Sequence, residues 1–281
     1  FNRWQSGQEL FYENIKNKNN EVALMGLTDG IKNILSSEEE HAYIAQCITI
    51  PSLDNIYQNI DKNINPHDTY NDYVKLNKLI YKLCKLEIDN TIEKIQKKIQ
   101  QPFSPDAKSA GLRLLDNICQ VHKSTIDFNE KEMQQRFNKA NNMTTKLNAL
   151  KIMTDNNLDN TSLNNFYIQY KDNTTVMDKY FSVQALSLNI DVSHIKALIT
   201  KEQFNIKNPN KVRSLIGAFS MNPISFHQIN GEGYKLLADV VIKLNTINPQ
   251  IGSRLVQAFS SYKKFEKQYS DLMEKELNRI L

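Results

Sequence analysis

A segment rich in amide and basic side chains, at residues 208–215, opens a predicted helix and could bind an anion. Arg213 lies at the edge of the apolar stripe of this helix, about 100 degrees from Val212 around the helical axis. Its guanidinium could hold a carboxylate, or it could pair with a neighbouring helix. Helical geometry alone favours the structural pairing, and both interpretations stay open at this point.

A second cluster of polar and aromatic residues lies at residues 176–181. Asp178 and Lys179 are adjacent, so on a helix their side chains point in different directions. That arrangement does not suit acid–base chemistry between the two. We expect them to tie neighbouring helices together.

Motifs that carry catalysis or hold cofactors are missing from the sequence. A zinc peptidase helix needs two histidines four residues apart with a glutamate beside the first. None of the five histidines is followed by Glu, and none has a second His four residues on. The sequence also has no P-loop, no Gly-x-Gly-x-x-Gly and no Gly-x-Ser-x-Gly. We therefore predict no catalytic residue, no metal ligand and no cofactor in this chain. The Gly231-Glu232-Gly233 segment is predicted to be a flexible loop.

Composition narrows the class of protein. Hydrophobic residues make up 40% and charged residues 23% of the 281 residues, as in a folded globular protein. The mean hydropathy of -0.52 and the lack of a long apolar run argue against a membrane span. The net charge of +4 comes from interspersed charges, so no nucleic-acid partner is expected. Three separated cysteines predict reduced thiols and a cytoplasmic protein.

Apolar residues recur at the spacing of helices along most of the chain. Two stripes with i, i+3, i+4, i+7 spacing are Leu76, Leu79, Ile80, Leu83 and Val212, Leu215, Ile216, Phe219. Ile92, Ile95 and Ile99 are predicted to extend one long helix that begins near Pro66. A last amphipathic helix is predicted from Tyr262 toward Leu281.

Several helix starts are predicted from prolines and capping residues. Asn precedes Pro66, Pro209, Pro223 and Pro249, and Ser104 precedes Pro105. Asn or Ser can cap free amides at a helix start, and proline fits the first helical position because its missing N–H would be unpaired there. Residues 37–40, Ser-Glu-Glu-Glu, are predicted to form a capping box before another helix.

These elements predict an all-α fold in one domain, residues 1–281. Many short helices in series stack as antiparallel pairs into a solenoid of the HEAT or armadillo kind, here a right-handed superhelix. A weak composition break near residues 101–105 is expected to separate two helical layers rather than two domains.

The sequence resembles the C-terminal domain of bacterial aminopeptidase N, a family of zinc metallo-aminopeptidases. The segment NPNKVRSLIGAF at residues 208–219 is similar to a signature of that domain. VMDKYFSVQA, FNKANNMTTKLNAL, GEGYKLLAD and NPQIGSRL also match, as do FNRWQSGQ and IPSLDNI near the start, in the same order. The resemblance weakens at residues 75–100 and in the last helix.

The resemblance implies a role for this chain inside a larger enzyme. In the family the zinc helix and the motif that binds the substrate's free amine lie upstream, in a catalytic domain. The C-terminal domain is an all-helical superhelix that caps the catalytic domain, walls an internal cavity and restricts entry to short peptides. The implied partners are therefore the catalytic domain of the same polypeptide and short peptides, and zinc belongs to the parent enzyme.

Three residues are the candidates to face substrate on this resemblance. Arg213 is expected to face the cavity, where it could meet the C-terminal part of a bound peptide. Lys211, where relatives often have Arg, is a weaker candidate because Lys cannot form a bidentate contact. Asn210 is the third.

Two alternatives compete with this interpretation. A freestanding helical scaffold that binds another protein would expose a concave apolar groove. A helical repeat that binds RNA would show a salt-sensitive affinity, but the modest charge counts against it.

Overall fold

The computed structural model describes residues 2–17, 20–99, 102–156 and 161–281. Over these ranges the chain is helical, with no β-strand and one isolated parallel bridge between Ile64 and Phe265. This confirms the predicted all-α class. In the described residues no helix is long and apolar enough to cross a membrane.

Sixteen α-helices are described, together with one π-helical segment at Arg213–Gly217 and two 3₁₀ turns at Gln257–Phe259 and Tyr262–Lys264. The α-helices are α1 (Asn2–Lys16), α2 (Glu21–Leu35), α3 (His41–Ile48), α4 (Leu53–Gln58), α5 (Pro66–Leu83), α6 (Lys85–Ile99), α7 (Ala107–Ser124), α8 (Glu130–Lys139), α9 (Met143–Asp155), α10 (Thr161–Tyr170), α11 (Thr174–Ala185), α12 (Val192–Ile199), α13 (Pro209–Val212), α14 (Glu232–Asn245), α15 (Pro249–Val256) and α16 (Lys267–Ile280).

The helices form two compact units. The first unit comprises Phe1–Asn59 and Asn71–Ile152, and the second comprises Ile60–Tyr70 and Met153–Leu281. In each unit, helices that are close in sequence pack on one another, as in stacked helix pairs. The handedness of the superhelix and the single domain remain predictions.

The first unit is built around α7, which packs against α3 and α6. Gly111 permits the close approach of α3, because a Cβ at this position would lie 3.0 Å from the backbone nitrogen of Ala42. His122 at the far end of α7 is buried, with its Nε2 atom 3.0 Å from the Ile48 carbonyl oxygen.

The prediction of one long helix that begins near Pro66 is wrong. The chain bends at Cys84, which divides this stretch into α5 and α6. The backbone bonds from Cys84 N to Ile80 O (2.9 Å) and from Ile88 N to Cys84 O (3.0 Å) continue across the bend. The bend carries α6 onto α7 and α2 and leaves Leu83 exposed.

A polar network fixes the chain at this bend. The buried Tyr81 hydroxyl lies 3.0 Å from the Asp89 carboxylate and 2.9 Å from that of Asp127. It also accepts a hydrogen bond from Lys85, which pairs with Asp127. Burial away from water raises the pKa of Tyr81 to about 12, so the phenol keeps its proton.

An aromatic cluster forms much of the core of the second unit, where α14 packs against α15 and α16. The Phe226 ring meets the Tyr234 ring edge-on at 5.1 Å and the Phe219 ring at 5.7 Å. Gly233 allows this packing, since a Cβ there would lie 2.2 Å from the Phe226 carbonyl oxygen. The flexible loop predicted at residues 231–233 is therefore wrong: α14 begins at Glu232, and Gly231 has a left-handed φ of 71°.

Asn-Pro helix starts are confirmed at three of the predicted positions. The Asn65 side-chain oxygen accepts hydrogen bonds from the backbone of His67 and Asp68, both at 3.1 Å. Asn208 and Asn248 cap α13 and α15 in the same manner.

Three other predicted starts are wrong. Asn222 forms a buried turn instead of a helix, because its side-chain amide donates to the carbonyls of Ala185 and Ser187. α7 begins after Ser104, with Asp106 as its cap. The Ser37 hydroxyl donates to the Ile34 carbonyl at the end of α2, and α3 begins only at His41 without a side-chain cap.

The last helix also begins later than predicted. Residues 262–264 form a 3₁₀ turn, and Phe265 is extended because its neighbour Glu266 donates its backbone N–H to the Ile64 carbonyl at 3.0 Å. α16 then begins at Lys267, with Tyr269 and Met273 buried as the apolar spacing indicates.

Candidate functional site: the helix start at Asn208

The candidate site lies in the second unit, where Asn208 and Pro209 open α13. The Asn208 side chain accepts a hydrogen bond from Asn210 N at 2.9 Å, and Pro209 occupies the first helical position. The helix then passes without a break into the π segment and ends at Phe219. Val212 and Ile216 on its inner face are fully buried.

The π segment widens the helix just after its start. Its Ser214 carbonyl accepts a hydrogen bond at 3.0 Å from the Ser182 hydroxyl of α11, which lies alongside. The Ser214 hydroxyl in turn donates to the Lys211 carbonyl at 3.0 Å. Short π segments inside α-helices occur frequently at functional sites.

Lys211 lies inside the protein, with 3% of its surface exposed. Its ammonium group forms an ion pair with Asp178 at 2.7 Å and donates to the Thr174 carbonyl, which holds α13 against α11. The expectation that Asp178 ties neighbouring helices together is confirmed. Lys179 is exposed and forms no hydrogen bond or ion pair with the described residues.

Arg213 is exposed, in contrast to the buried residues on either side of it. Its side chain extends over Gly217, where a Cβ would lie 3.7 Å from the Arg213 Cγ atom and 3.8 Å from Leu255. Within the described residues its guanidinium has no ion pair or hydrogen bond. Asn210 is exposed as well.

Arg254 is a neighbouring candidate that the sequence reasoning missed. It is exposed on α15, next to Leu255, and it forms no ion pair with the described residues. The repeated Asn-Pro opening at Asn208 and Asn248 could have indicated it, since an arginine follows each opening. Arg213 and Arg254 are therefore two exposed arginines with no charge partner in the described part of the chain.

Metal ligands are not grouped anywhere in the described ranges: no three His, Cys, Asp or Glu side chains lie together. The buried histidines form hydrogen bonds within the core instead. His227 lies within hydrogen-bonding distance of the Tyr234 hydroxyl, at 2.8 Å, and burial lowers its pKa to about 3.

A family model described as "Domain of unknown function (DUF3458_C) ARM repeats" matches residues 1–281. The chain belongs to this family of ARM-repeat domains. The family assignment supports the predicted solenoid class.

Relatives of this ARM-repeat domain are aminopeptidases. The chain is 35% identical to aminopeptidase N of Haemophilus influenzae over 174 residues, covering 60% of this chain and 20% of that protein. It is 26% identical to aminopeptidase N of Escherichia coli over 298 residues, covering 100% of this chain and 33% of that protein. The crystal structure of Legionella pneumophila aminopeptidase A in complex with aspartic acid matches with a TM-score of 0.87 and 26% identity, over 100% of this chain and 35% of that chain.

This domain therefore spans a fifth to about a third of the length of these relatives. It is homologous to the C-terminal region of aminopeptidases, which confirms the resemblance seen in the sequence.

Proposed function

We propose that this chain is the C-terminal domain of a cytoplasmic, zinc-dependent aminopeptidase that removes N-terminal residues from peptides. Its partners are the catalytic domain of the same polypeptide and short peptides. The zinc would be held by residues of the catalytic domain, and this chain would wall the cavity and restrict entry. Cys84 and Cys119, both free and buried, are compatible with a reducing compartment.

The proposed aminopeptidase role rests on homology to the C-terminal region of aminopeptidases, and the proposed peptide contact rests on the exposed, unpaired guanidinium of Arg213. A peptide bound by its amine at a zinc site extends its carboxylate away from the metal. Arginine suits a carboxylate because its donors can form two parallel hydrogen bonds.

Lys211 has a different part in this proposal. Its ammonium group already has Asp178 and the Thr174 carbonyl as partners, so it positions α13 rather than contacting peptide. Asn210 is exposed one turn before Arg213 and could donate its amide to a peptide carbonyl.

The experiment compares Arg213→Ala with the parent enzyme on a tripeptide and on a chromogenic aminoacyl amide. Loss of a charge-assisted hydrogen bond costs about 1.5–3 kcal/mol, or roughly ten- to a hundredfold in kcat/KM. The tripeptide should suffer that loss because its carboxylate reaches Arg213. The aminoacyl amide should be nearly unaffected, because it is too short.

Two further variants serve as controls. Arg213→Lys keeps the charge and should recover part of the tripeptide activity. Lys179→Ala removes an exposed charge from α11, beside the site, and should leave both substrates unchanged. Equal losses on both substrates for Arg213→Ala would mean a structural arginine, and no loss on either would refute the contact.

A further inference from the structure

A small cavity of about 100 Å³ lies in the first unit, apart from the helix start at Asn208. It is bordered by the end of α6, the start of α7, the segment just before α7 and the loop between α8 and α9. Two basic residues, Lys98 and Arg113, are among the described residues that line it, and none of these lining residues is acidic. The volume is below the roughly 300–1,000 Å³ of drug-sized ligand sites, so a small ion suits it better than a peptide.

Arg113 of α7 is a buried charge in this lining. Only 8% of its surface is exposed, yet its guanidinium forms no ion pair with a described residue. Its Nη1 atom donates to the Ser104 carbonyl at 2.9 Å, and its guanidinium carbon lies 4.9 Å from the centre of the Phe103 ring. Both of these partners are neutral. Because buried charges are nearly always paired with an opposite charge, Arg113 has the surroundings of a guanidinium that binds an anion.

The two contacts of Arg113 orient its guanidinium and leave one edge available. Since Nη1 is used by Ser104, the Nε and Nη2 atoms have no hydrogen-bond partner among the described residues. Neither atom is sealed from solvent, in contrast to the Nε atom of Arg136. This edge presents two parallel donors, which is the arrangement by which arginine binds carboxylate and phosphate groups.

The acidic residue nearest to this cavity in the sequence, Asp106, has other partners. Its carboxylate accepts hydrogen bonds from the Ser109 backbone N–H at 2.9 Å and from the Ser104 hydroxyl at 2.5 Å. Asp106 therefore caps α7, and it does not line the cavity. The amides at the start of α7 are not part of the site, because this cap already occupies them.

Two further donors border the cavity from other elements. Lys98, in the last turn of α6, is exposed and forms no ion pair with the described residues. The Asn141 side-chain oxygen accepts from the Asn142 amide at 3.0 Å, which leaves the Asn141 amide group as a donor. The donors thus come from α6, from α7 and from the loop between α8 and α9. A planar carboxylate could meet the Arg113 edge, whereas a tetrahedral oxyanion can also direct oxygens toward the other two donors.

We propose that this cavity binds inorganic phosphate. Two phosphate oxygens accept from Nε and Nη2 of Arg113, and the other two face Lys98 and Asn141. A phosphate dianion balances the two positive charges of the lining. The site is separate from the proposed peptide contact at Arg213 and does not rest on the proposed function.

The test titrates inorganic phosphate into the purified chain and follows binding by phosphorus NMR. Constant ionic strength keeps the screening of charges equal between samples. Phosphate should bind saturably, with one site per chain and a dissociation constant in the millimolar range. Sulfate has the same shape and should displace it. Acetate is planar and should displace it roughly tenfold less well, because it leaves donors unpaired.

Two variants locate the site, and a third is their control. Arg113→Lys keeps the charge but removes the two parallel donors, and Lys98→Met removes an exposed charge from the border of the cavity. Each should weaken phosphate binding roughly tenfold, with circular dichroism unchanged. Because Lys98 is exposed, its variant tests the site even if Arg113→Lys proves unstable. Lys97→Met removes the same charge from the neighbouring exposed residue, which does not line the cavity, and should leave binding unchanged.

Three results would overturn the proposal. The first is absence of saturable binding at millimolar phosphate, which would mean that water alone meets the free edge of Arg113. The second is acetate binding as tightly as phosphate, which would assign the cavity to a carboxylate. The third is equal weakening by Lys97→Met and Lys98→Met, which would place the phosphate on the general basic surface of α6.

Discussion

Acid should destabilise the first unit through His122. This histidine is 2% exposed, with Nε2 3.0 Å from the Ile48 carbonyl and Nδ1 2.6 Å from the Asn77 side chain. Burial disfavours the imidazolium and lowers the pKa to about 4, and the Ile48 hydrogen bond offsets only part of this effect. The imidazole is therefore neutral in the folded protein over a wide pH range.

The size and sign of the effect follow from this pKa. The pKa of His122 is 6.5 in the unfolded chain, which is about 2.5 above its pKa in the folded protein. A pKa difference of one corresponds to about 1.4 kcal/mol. Because the unfolded chain takes up the proton first, stability is complete above pH 6.5 and is lost as the pH falls toward 4. By pH 5 His122 alone should account for a loss of about 2 kcal/mol.

Urea unfolding followed by fluorescence provides the assay. Trp4 is the single tryptophan and lies in α1 of the first unit, so its emission reports on this unit. The free energy of unfolding should be compared at about pH 7.5 and about pH 5, which bracket most of the proton uptake. In His122→Gln the free energy of unfolding should fall between these two pH values by about 2 kcal/mol less than in the unmodified chain.

A second histidine variant is the matched control. His41 is only half-buried at the start of α3, so His41→Gln should change the pH dependence much less. The comparison uses differences between pH values, so any general destabilisation by the variants cancels. If His122→Gln loses as much stability on acidification as the unmodified chain, then His122 is not the group that takes up the proton and the reasoning is refuted.

Three further predictions concern the stability of single variants, one in the first unit and two in the second. Gly233→Ala should cost at least about 2 kcal/mol, because the new methyl group would overlap the Phe226 carbonyl. Gly30→Ala, in an open helix position, should instead stabilise by about 1 kcal/mol, and chemical unfolding distinguishes the two. Lys211→Met should destabilise the protein by on the order of 3 kcal/mol, because it leaves Asp178 unpaired. Adding Asp178→Leu should recover most of this stability. If it recovers none, the loss in Lys211→Met does not come from breaking the ion pair.

The helical class could be predicted from the sequence because apolar spacing and Asn-Pro caps are local signals. Asn65, Asn208 and Asn248 each cap a helix with their own side chain. Asn222 has the same local sequence, but its amide is used by the end of α11 instead. Local chemistry cannot distinguish these cases, because the competing partner is 35 or more residues away.

The bend at Cys84 could not be predicted for a similar reason. No proline or glycine marks it, and the backbone bonds continue through it. What favours the bend is a network that joins Tyr81 and Lys85 to Asp127, 42 residues further along the chain. The apolar stripe predicted to be continuous therefore changes direction and leaves Leu83 in solvent.

At the candidate site, helical periodicity alone does not predict which of two nearby basic residues is buried. A regular α-helix places Lys211 and Arg213 about 200 degrees apart, so periodicity predicts that they face different surroundings but not which one is buried. Asp178 decides this, because its carboxylate beside α13 draws the lysine inward. The π segment then begins at Arg213, and the Ser182 hydroxyl holds its second carbonyl. Together these contacts leave the arginine as the group on this turn whose charge is available to a ligand.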